Sequence, residues 1–145
     1  MDISEFITLL EQQRKETDAI YHAAAVKCSL SDTAMWILYM LTESPEAYTQ
    51  QDLCGLGFYA KQTVNTAIQT LLRRECVTLE PVPGTRNRKR VVLTETGRAL
   101  AKITVDPLCQ AELRAYGCLT EEERDAYLAL TTRITTRLRE EFETL

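Results

Sequence analysis

The sequence predicts a mainly α protein with a single two-strand β-hairpin, and three observations carry that reading. Glycine (5) and proline (4) are scarce among 145 residues, which argues against a loop-rich or all-β chain. Apolar residues recur at helical spacing along most of the length. Two β-branched runs, "CVTLEPV" and "RVVL", flank the segment "PGTRNRK", a Pro-Gly turn signal in a basic loop. The length suits one domain, 1–145, and a hydrophobic fraction of 45% is enough to bury a core.

The first helix is expected in "DISEFITLLEQQRKETDAIYHAAAVKC". Ile3, Phe6, Ile7 and Leu10 form one apolar end, Ile20, Tyr21 and Ala24 the other, with a polar middle between them. Such a helix does not lie flat on one small core and is suited to bridging two bodies. A second helix follows in "SLSDTAMWILYML", with Ser31 as N-cap and Asp32 in the first turn. It is apolar nearly all round, which makes it central, and Pro45 is expected to break it. Thr49 then caps a short helix, "QQDLCGL", ended by Gly55 and Gly57.

The next helix, "YAKQTVNTAIQTLLRRE", has a core stripe of Val64, Ala67, Ile68 and Leu71. Its opposite face holds Gln62, Thr66, Gln69 and Arg73, with Thr63 and Asn65 at the margins. Solvated faces usually carry Glu and Lys; a face of Gln, Thr and Asn sacrifices helix propensity and favours a binding role. After the hairpin, Thr94 caps "ETGRALAKITVDPLCQAELRAYG", where Pro107 is expected to kink or restart the axis. Thr120 and Glu123 form a capping box opening the last helix. There Tyr127, Leu130, Ile134, Leu138 and Phe142 make one narrow stripe suited to a helix–helix seam.

Several function classes recede. No segment approaches the length of a membrane span, so no membrane partner is expected. The acidic start "MDISEFITLL" is unlike a secretion signal, and a cytoplasmic location is expected. Cys28, Cys54, Cys76, Cys109 and Cys118 are scattered, without a C-x-x-C, and His22 is the only histidine. No metal site and no cofactor are therefore expected, and the thiols are read as free and mostly buried. No nucleophile–base pair or Gly-rich phosphate loop is present, so no catalytic residue is assigned and an enzyme is not expected.

Charge is unevenly placed. The net charge is −4, yet residues 61–90 hold seven Lys/Arg against two acids, a local +5 that leaves −9 for the remainder. Two successive helices, the second with a polar outward face, followed by a basic-tipped hairpin, amount to a winged helix-turn-helix. The major groove of double-stranded DNA admits one helix, whose Gln, Asn, Thr and Arg side chains can read base edges. An arginine-rich hairpin tip can reach phosphates and the narrow minor groove. On this reading Arg86, Arg88, Lys89 and Arg90 form the wing and 60–74 reads the major groove.

The segments "TVNTAIQTLLRRECV" and "RVVLTETG", separated by a hairpin, resemble the MarR family of bacterial transcription regulators. The motif V-x-L-T-x-x-G (Val91, Leu93, Thr94, Gly97) after a basic wing is its most specific element. The resemblance spans nearly the whole chain, and implies dimerisation helices at 1–28 and 98–145 around a winged core at 30–97. It implies a homodimer on a pseudo-palindromic operator, acting as a ligand-responsive repressor. Matched by position, Lys61, Gln62, Thr63, Asn65 and Thr66 fall in the recognition segment, extended by Gln69 and Arg73. Ile3, Phe6 and Leu10, with Tyr127, Leu130, Ile134, Leu138 and Phe142, are the expected dimer contacts.

The chain also departs from the family pattern. Thr85 and Asn87 stand where an Asp-x-Arg brace is common in the wing, Thr66 replaces an arginine, and Glu75 replaces a helix-ending glycine. The operator therefore does not carry over from relatives. A small aromatic or phenolic ligand is an expected partner, with Tyr21, His22, Trp36, Tyr39 and Met40 as candidate pocket residues. Two alternatives stay open: a cysteine-sensing regulator of the same fold, with Cys28 beside Lys27 as the nearest candidate, or a winged-helix interaction module that does not bind DNA.

Overall fold

The computed structural model describes residues 1–44 and 48–145. The chain runs α1 (Ile3–Lys27), α2 (Asp32–Glu43), α3 (Gln50–Gly57), α4 (Lys61–Arg73), β1 (Val77–Pro81), β2 (Lys89–Leu93), α5 (Glu95–Tyr116) and α6 (Glu121–Phe142). This is a winged helix-turn-helix with long helices before and after it. The predicted break at Pro45 lies outside the described residues; α2 ends at Glu43. The chain divides into two compact units, Met1–Leu108 and Cys109–Leu145.

Local chemistry sets most helix starts. The Asp2 carboxylate accepts from the Glu5 N–H to open α1, and the Ser31 hydroxyl accepts from the Ala34 N–H to open α2. Thr49 with Asp52, and Thr120 with Glu123, form complete capping boxes at α3 and α6. Thr94 caps α5 through its hydroxyl, which accepts from the Gly97 N–H at 3.0 Å.

The helix ends hold the departures from expectation. Gly55 lies within α3, and the left-handed residue that ends the helix is Phe58 (φ 53°), not a glycine. Both α1 and α4 close with paired backbone bonds around a left-handed non-glycine residue, Ser29 (φ 55°) and Glu75 (φ 57°) respectively. At α4 the Glu75 N–H reaches the Leu72 carbonyl and the Cys76 N–H the Leu71 carbonyl, both at 2.9 Å. Glu75 thus makes a left-handed turn at the steric cost its Cβ imposes. Pro107 sits inside α5, which neither stops nor restarts there.

The core belongs to the first unit. Ile37 and Leu38 of α2, Leu53 of α3, Val64, Ile68 and Leu71 of α4, Val77 and Val91 of the hairpin, and Val105 of α5 are fully buried. The predicted stripe of α4 is entirely inside. The strands pair antiparallel from Val77↔Leu93 to Pro81↔Lys89. A third segment adds to the outer edge of β2, where the Val91 N–H donates to the Tyr48 carbonyl at 2.9 Å and Thr49 bridges Arg90. In the second unit, α6 has no buried residue.

The thiols depart from the expectation of burial. Only Cys76 is buried; Cys28, Cys54 and Cys109 are half-buried and Cys118 is exposed. Cys118 follows Gly117 in the connection between α5 and α6, where no element covers it.

The motif glycine has a steric explanation. A Cβ on Gly97 would lie 1.9 Å from the Cys76 carbonyl oxygen, a backbone atom that cannot swing away. Gly97→Ala should therefore destabilise the chain by about 1–3 kcal/mol or more, as overpacking does in other cores. Chemical denaturation would measure it, and an unchanged midpoint would show that α5 can retreat at no cost.

Candidate nucleic-acid interface

The outward face of α4 forms as its sequence pattern requires. Lys61, Gln62, Thr63, Asn65, Thr66, Gln69 and Arg73 are all exposed, while the residues between them at core positions are buried. No acidic side chain stands on this helix. Some of the face is engaged internally. The Thr66 hydroxyl donates to the Gln62 carbonyl at 3.0 Å, leaving its oxygen lone pairs and methyl outward. The Gln50 amide donates to Asn65 Oδ1 at 3.3 Å, so the start of α3 supports the middle of α4 and leaves the Asn65 NH₂ available. Arg73 donates to the Thr70 hydroxyl at 3.3 Å.

The basic run divides between two settings. Arg86 and Arg88 lie in the loop 82–88, whereas Lys89 and Arg90 are the first residues of β2, a difference from a purely loop-borne cluster. All four are exposed. Gly84 (φ 78°) makes the turn that the Pro-Gly signal announced, and the Thr85 N–H and hydroxyl both reach the Val82 carbonyl, at 3.3 and 2.8 Å. The Val82 N–H donates to the Arg88 carbonyl at 3.0 Å and closes the loop.

One acid stands in the hairpin, Glu80 of β1, in register with Arg90, and Asp52 of α3 adds a negative charge near Arg88. The Asp52 carboxylate accepts from the Thr49 N–H (2.9 Å) and hydroxyl (2.8 Å), and these bonds hold it below the usual carboxylate range; the nearby Arg88 charge lowers it further. The sequence marked Asp52 only as part of a short helix, because its nearness to Arg88 depends on tertiary structure.

The candidate ligand residues lie on α1 and α2, two helices joined by the His22–Asp32 contact. Trp36, Tyr39 and Met40 are half-buried on α2, and Tyr21 and His22 are exposed on α1. His22 Nδ1 lies 2.8 Å from Asp32 Oδ1, with both side chains more than half exposed (63% and 58%), which ties α1 to the first turn of α2. Trp36 meets the Tyr59 ring edge to face, with centroids 5.3 Å apart and planes at 62°. Burial pushes the Tyr59 phenol up, the charges of Asp32 and Asp18 push it the same way, and a Thr33 hydrogen bond opposes them. A separate groove of about 340 Å³ runs between the end of α2, β2 and α5, floored by Leu41, Val91 and Ala101 and edged by Arg98, Lys102 and Asp106. None of the five candidate residues lines it.

Every expected dimer contact is exposed in the single chain: Ile3, Phe6 and Leu10 on α1, and Tyr127, Leu130, Ile134, Leu138 and Phe142 on α6. Among the described residues, no group of three or more His, Cys, Asp or Glu side chains could hold a metal ion, and no helix is long and apolar enough to cross a membrane.

The family model described as MarR family matches residues 29–86, the segment from the end of α1 into the wing loop. Over that segment, which holds most of the winged core, the chain is similar to the MarR family. Solved structures agree on the fold around that core. A MarR family regulator from Neisseria meningitidis superimposes with a TM-score of 0.83 at 16% identity, covering 99% of this chain and 98% of that one. MepR of S. aureus, in a DNA complex, gives 0.72 at 19% identity over 94% and 96%. BpsR of Bordetella bronchiseptica, whose DNA binding is regulated by 6-hydroxynicotinic acid, gives 0.70 at 24% identity over 90% and 98%. At these identities the likeness is one of fold. No curated protein matches the chain by sequence.

The winged core carries one pH dependence of defined sign. The folded Asp52 carboxyl titrates below its ordinary value of 3.8, so its contribution is complete above that value and disappears as pH falls through the lower, folded one. Asp52→Asn should lower stability near neutrality by about 0.5–1 kcal/mol, the scale of a missing cap. It should also flatten the acid limb below about pH 4. Urea midpoints from pH 2 to 7 for both proteins would check this; parallel curves would mean that Asp52 is not differentially stabilised.

Proposed function

We propose that the chain is a DNA-binding transcription regulator that works as a homodimer on a pseudo-palindromic site. Lys61, Gln62, Thr63, Asn65, Thr66, Gln69 and Arg73 meet base edges in the major groove, and Arg86, Arg88, Lys89 and Arg90 meet the flanking backbone and minor groove. The observation that carries this reading is the continuous exposed surface of α4, free of acid and rich in Gln, Asn and Thr, preceding a hairpin with four cations. The family match over 29–86 and the likeness of fold to a protein solved in a DNA complex support it. An interaction module without DNA binding would have no use for a +5 segment on an acidic body.

The second copy docks through α1 and α6, whose apolar residues have no cover in one chain. A dimer also supplies what a single small module lacks, two half-sites read together. The regulator acts as a repressor released by a small aromatic or phenolic ligand at the junction of Tyr21, His22, Trp36, Tyr39 and Met40. Support comes from the half-buried aromatic cluster beside the entry to α4 and from the regulation of BpsR, a protein of like fold, by a hydroxylated aromatic acid.

Selection from a random duplex library tests the reading, and enrichment of a pseudo-palindrome is the expected result. Arg86→Ala/Arg88→Ala should weaken binding to every sequence and reduce the salt slope by up to about 2, close to one for each phosphate left without its arginine. An unchanged slope would show that neither arginine meets a phosphate. Leu138→Asp should abolish dimerisation and DNA binding together; a variant that sediments as a dimer would show that the α6 stripe is not the seam.

A further inference from the structure

We propose that Phe58, in the turn between α3 and α4, binds DNA directly and seats its ring on the apolar surface of the duplex, a thymine methyl or a deoxyribose. The proposal rests on the DNA-binding reading above and adds a specificity-determining residue to it.

Two independent features single out Phe58. It is 91% exposed, and among the described large hydrophobic residues only the C-terminal Leu145 is more exposed. It also holds a left-handed backbone, φ 53° and ψ 28°, where a bulky L-residue is strained and glycine is not. The fold gains nothing from the ring, which is in water, and would be eased by its removal. Strain of this kind persists where function requires the residue.

The surroundings point to the occupant. The next residue, Tyr59, turns inward against Trp36, and both neighbours, Phe58 and Ala60, are exposed. A Cβ on Gly57 would fall 2.5 Å from the Tyr59 ring and 2.8 Å from Trp36, so this packing fixes the turn closely. The turn leads directly into Lys61 and Gln62, at the end of α4 that enters the groove in helix-turn-helix docking. A polyanion that meets those side chains also presents thymine methyls in the major groove and sugar faces along its rim. Leu56, 52% exposed two residues earlier, is a second exposed apolar side chain near this turn.

The test uses the full-length chain, the duplex enriched by the wild type, and that duplex with each thymine in turn replaced by deoxyuridine. Phe58→Gly should melt no lower than wild type, because glycine adopts the left-handed turn without strain. It should nonetheless bind about tenfold more weakly or worse, the scale of an unburied phenyl ring. Phe58→Leu should recover part of the affinity. The salt slope should stay as in the wild type, since no phosphate charge is involved. One deoxyuridine position that weakens the wild type but not Phe58→Gly would assign the thymine methyl; uniform indifference to deoxyuridine, with the affinity loss intact, would assign the deoxyribose. Wild-type affinity in Phe58→Gly, or a loss matched by a fall in melting temperature, overturns the role of Phe58 alone. A wild type that enriches no duplex overturns the DNA-binding reading and the role of Phe58 with it.

Discussion

The geometry of the wing depends on how closely α5 approaches the corner between α4 and β1. At that corner the Thr94 hydroxyl donates to the Glu75 carbonyl at 2.6 Å and accepts from the Gly97 N–H at 3.0 Å, while the Thr94 N–H donates to the Cys76 carbonyl at 3.0 Å. One threonine therefore caps α5, holds the end of α4 and closes the base of the hairpin. Gly97 permits this, because any larger residue would drive into the Cys76 carbonyl. The V-x-L-T-x-x-G motif is thus a joint: Val91 is the buried strand residue, Leu93 pairs with Val77, and Thr94 and Gly97 weld the three elements. If that joint opened, the hairpin would no longer keep a fixed angle to α4, and on the proposed DNA-binding reading the wing cations could not address the same stretch of duplex as the helix.

What the sequence made legible follows from how local each cause is. Ser31, Thr49 and Thr120 act within three residues of themselves, so the starts of α2, α3 and α6 were readable from the residue types alone. The α4 stripe was readable because burial of Val64, Ala67, Ile68 and Leu71 obeys the helical period. The helix ends were less accessible: Ser29, Phe58 and Glu75 take left-handed backbone that their side chains disfavour, so nothing in residue type announced it. Position relative to the family pattern did flag Glu75, as a substitute for glycine.

The candidate interface divides along the same line. The α4 face and the wing cations were legible because both are runs of neighbouring residues. The pairing of 48–49 with β2, the approach of Asp52 to Arg88 and the His22–Asp32 contact join residues ten to forty or so positions apart, and only the fold brings them together. The five thiols failed the expectation for a related reason. Cysteine is on average a buried residue, but Cys118 lies in a connection and only Cys76 sits at the packed corner.

The distribution of burial bears on why the chain has its terminal helices at all. Every buried hydrophobic residue lies between Ala25 and Val105, so the winged core has its own interior. By contrast, α6 is 22 residues long with no buried residue, and the first twenty residues of the chain are all exposed. In proteins most helical stability comes from packing an amphipathic face rather than from intrinsic propensity. The apolar stripe on α6 and the apolar ends of α1 are exposed in the single chain and are the faces that the proposed homodimer would cover. In the proposed homodimer the same sequence supplies that cover twice, which makes the order of the terminal helices and the spacing of two α4 helices consequences of one association. A ligand that altered the junction of α1 and α2 would then act on that spacing without touching a DNA-facing residue. On this reading the aromatic cluster at Trp36 and Tyr59, set directly before α4, is where such a signal would enter.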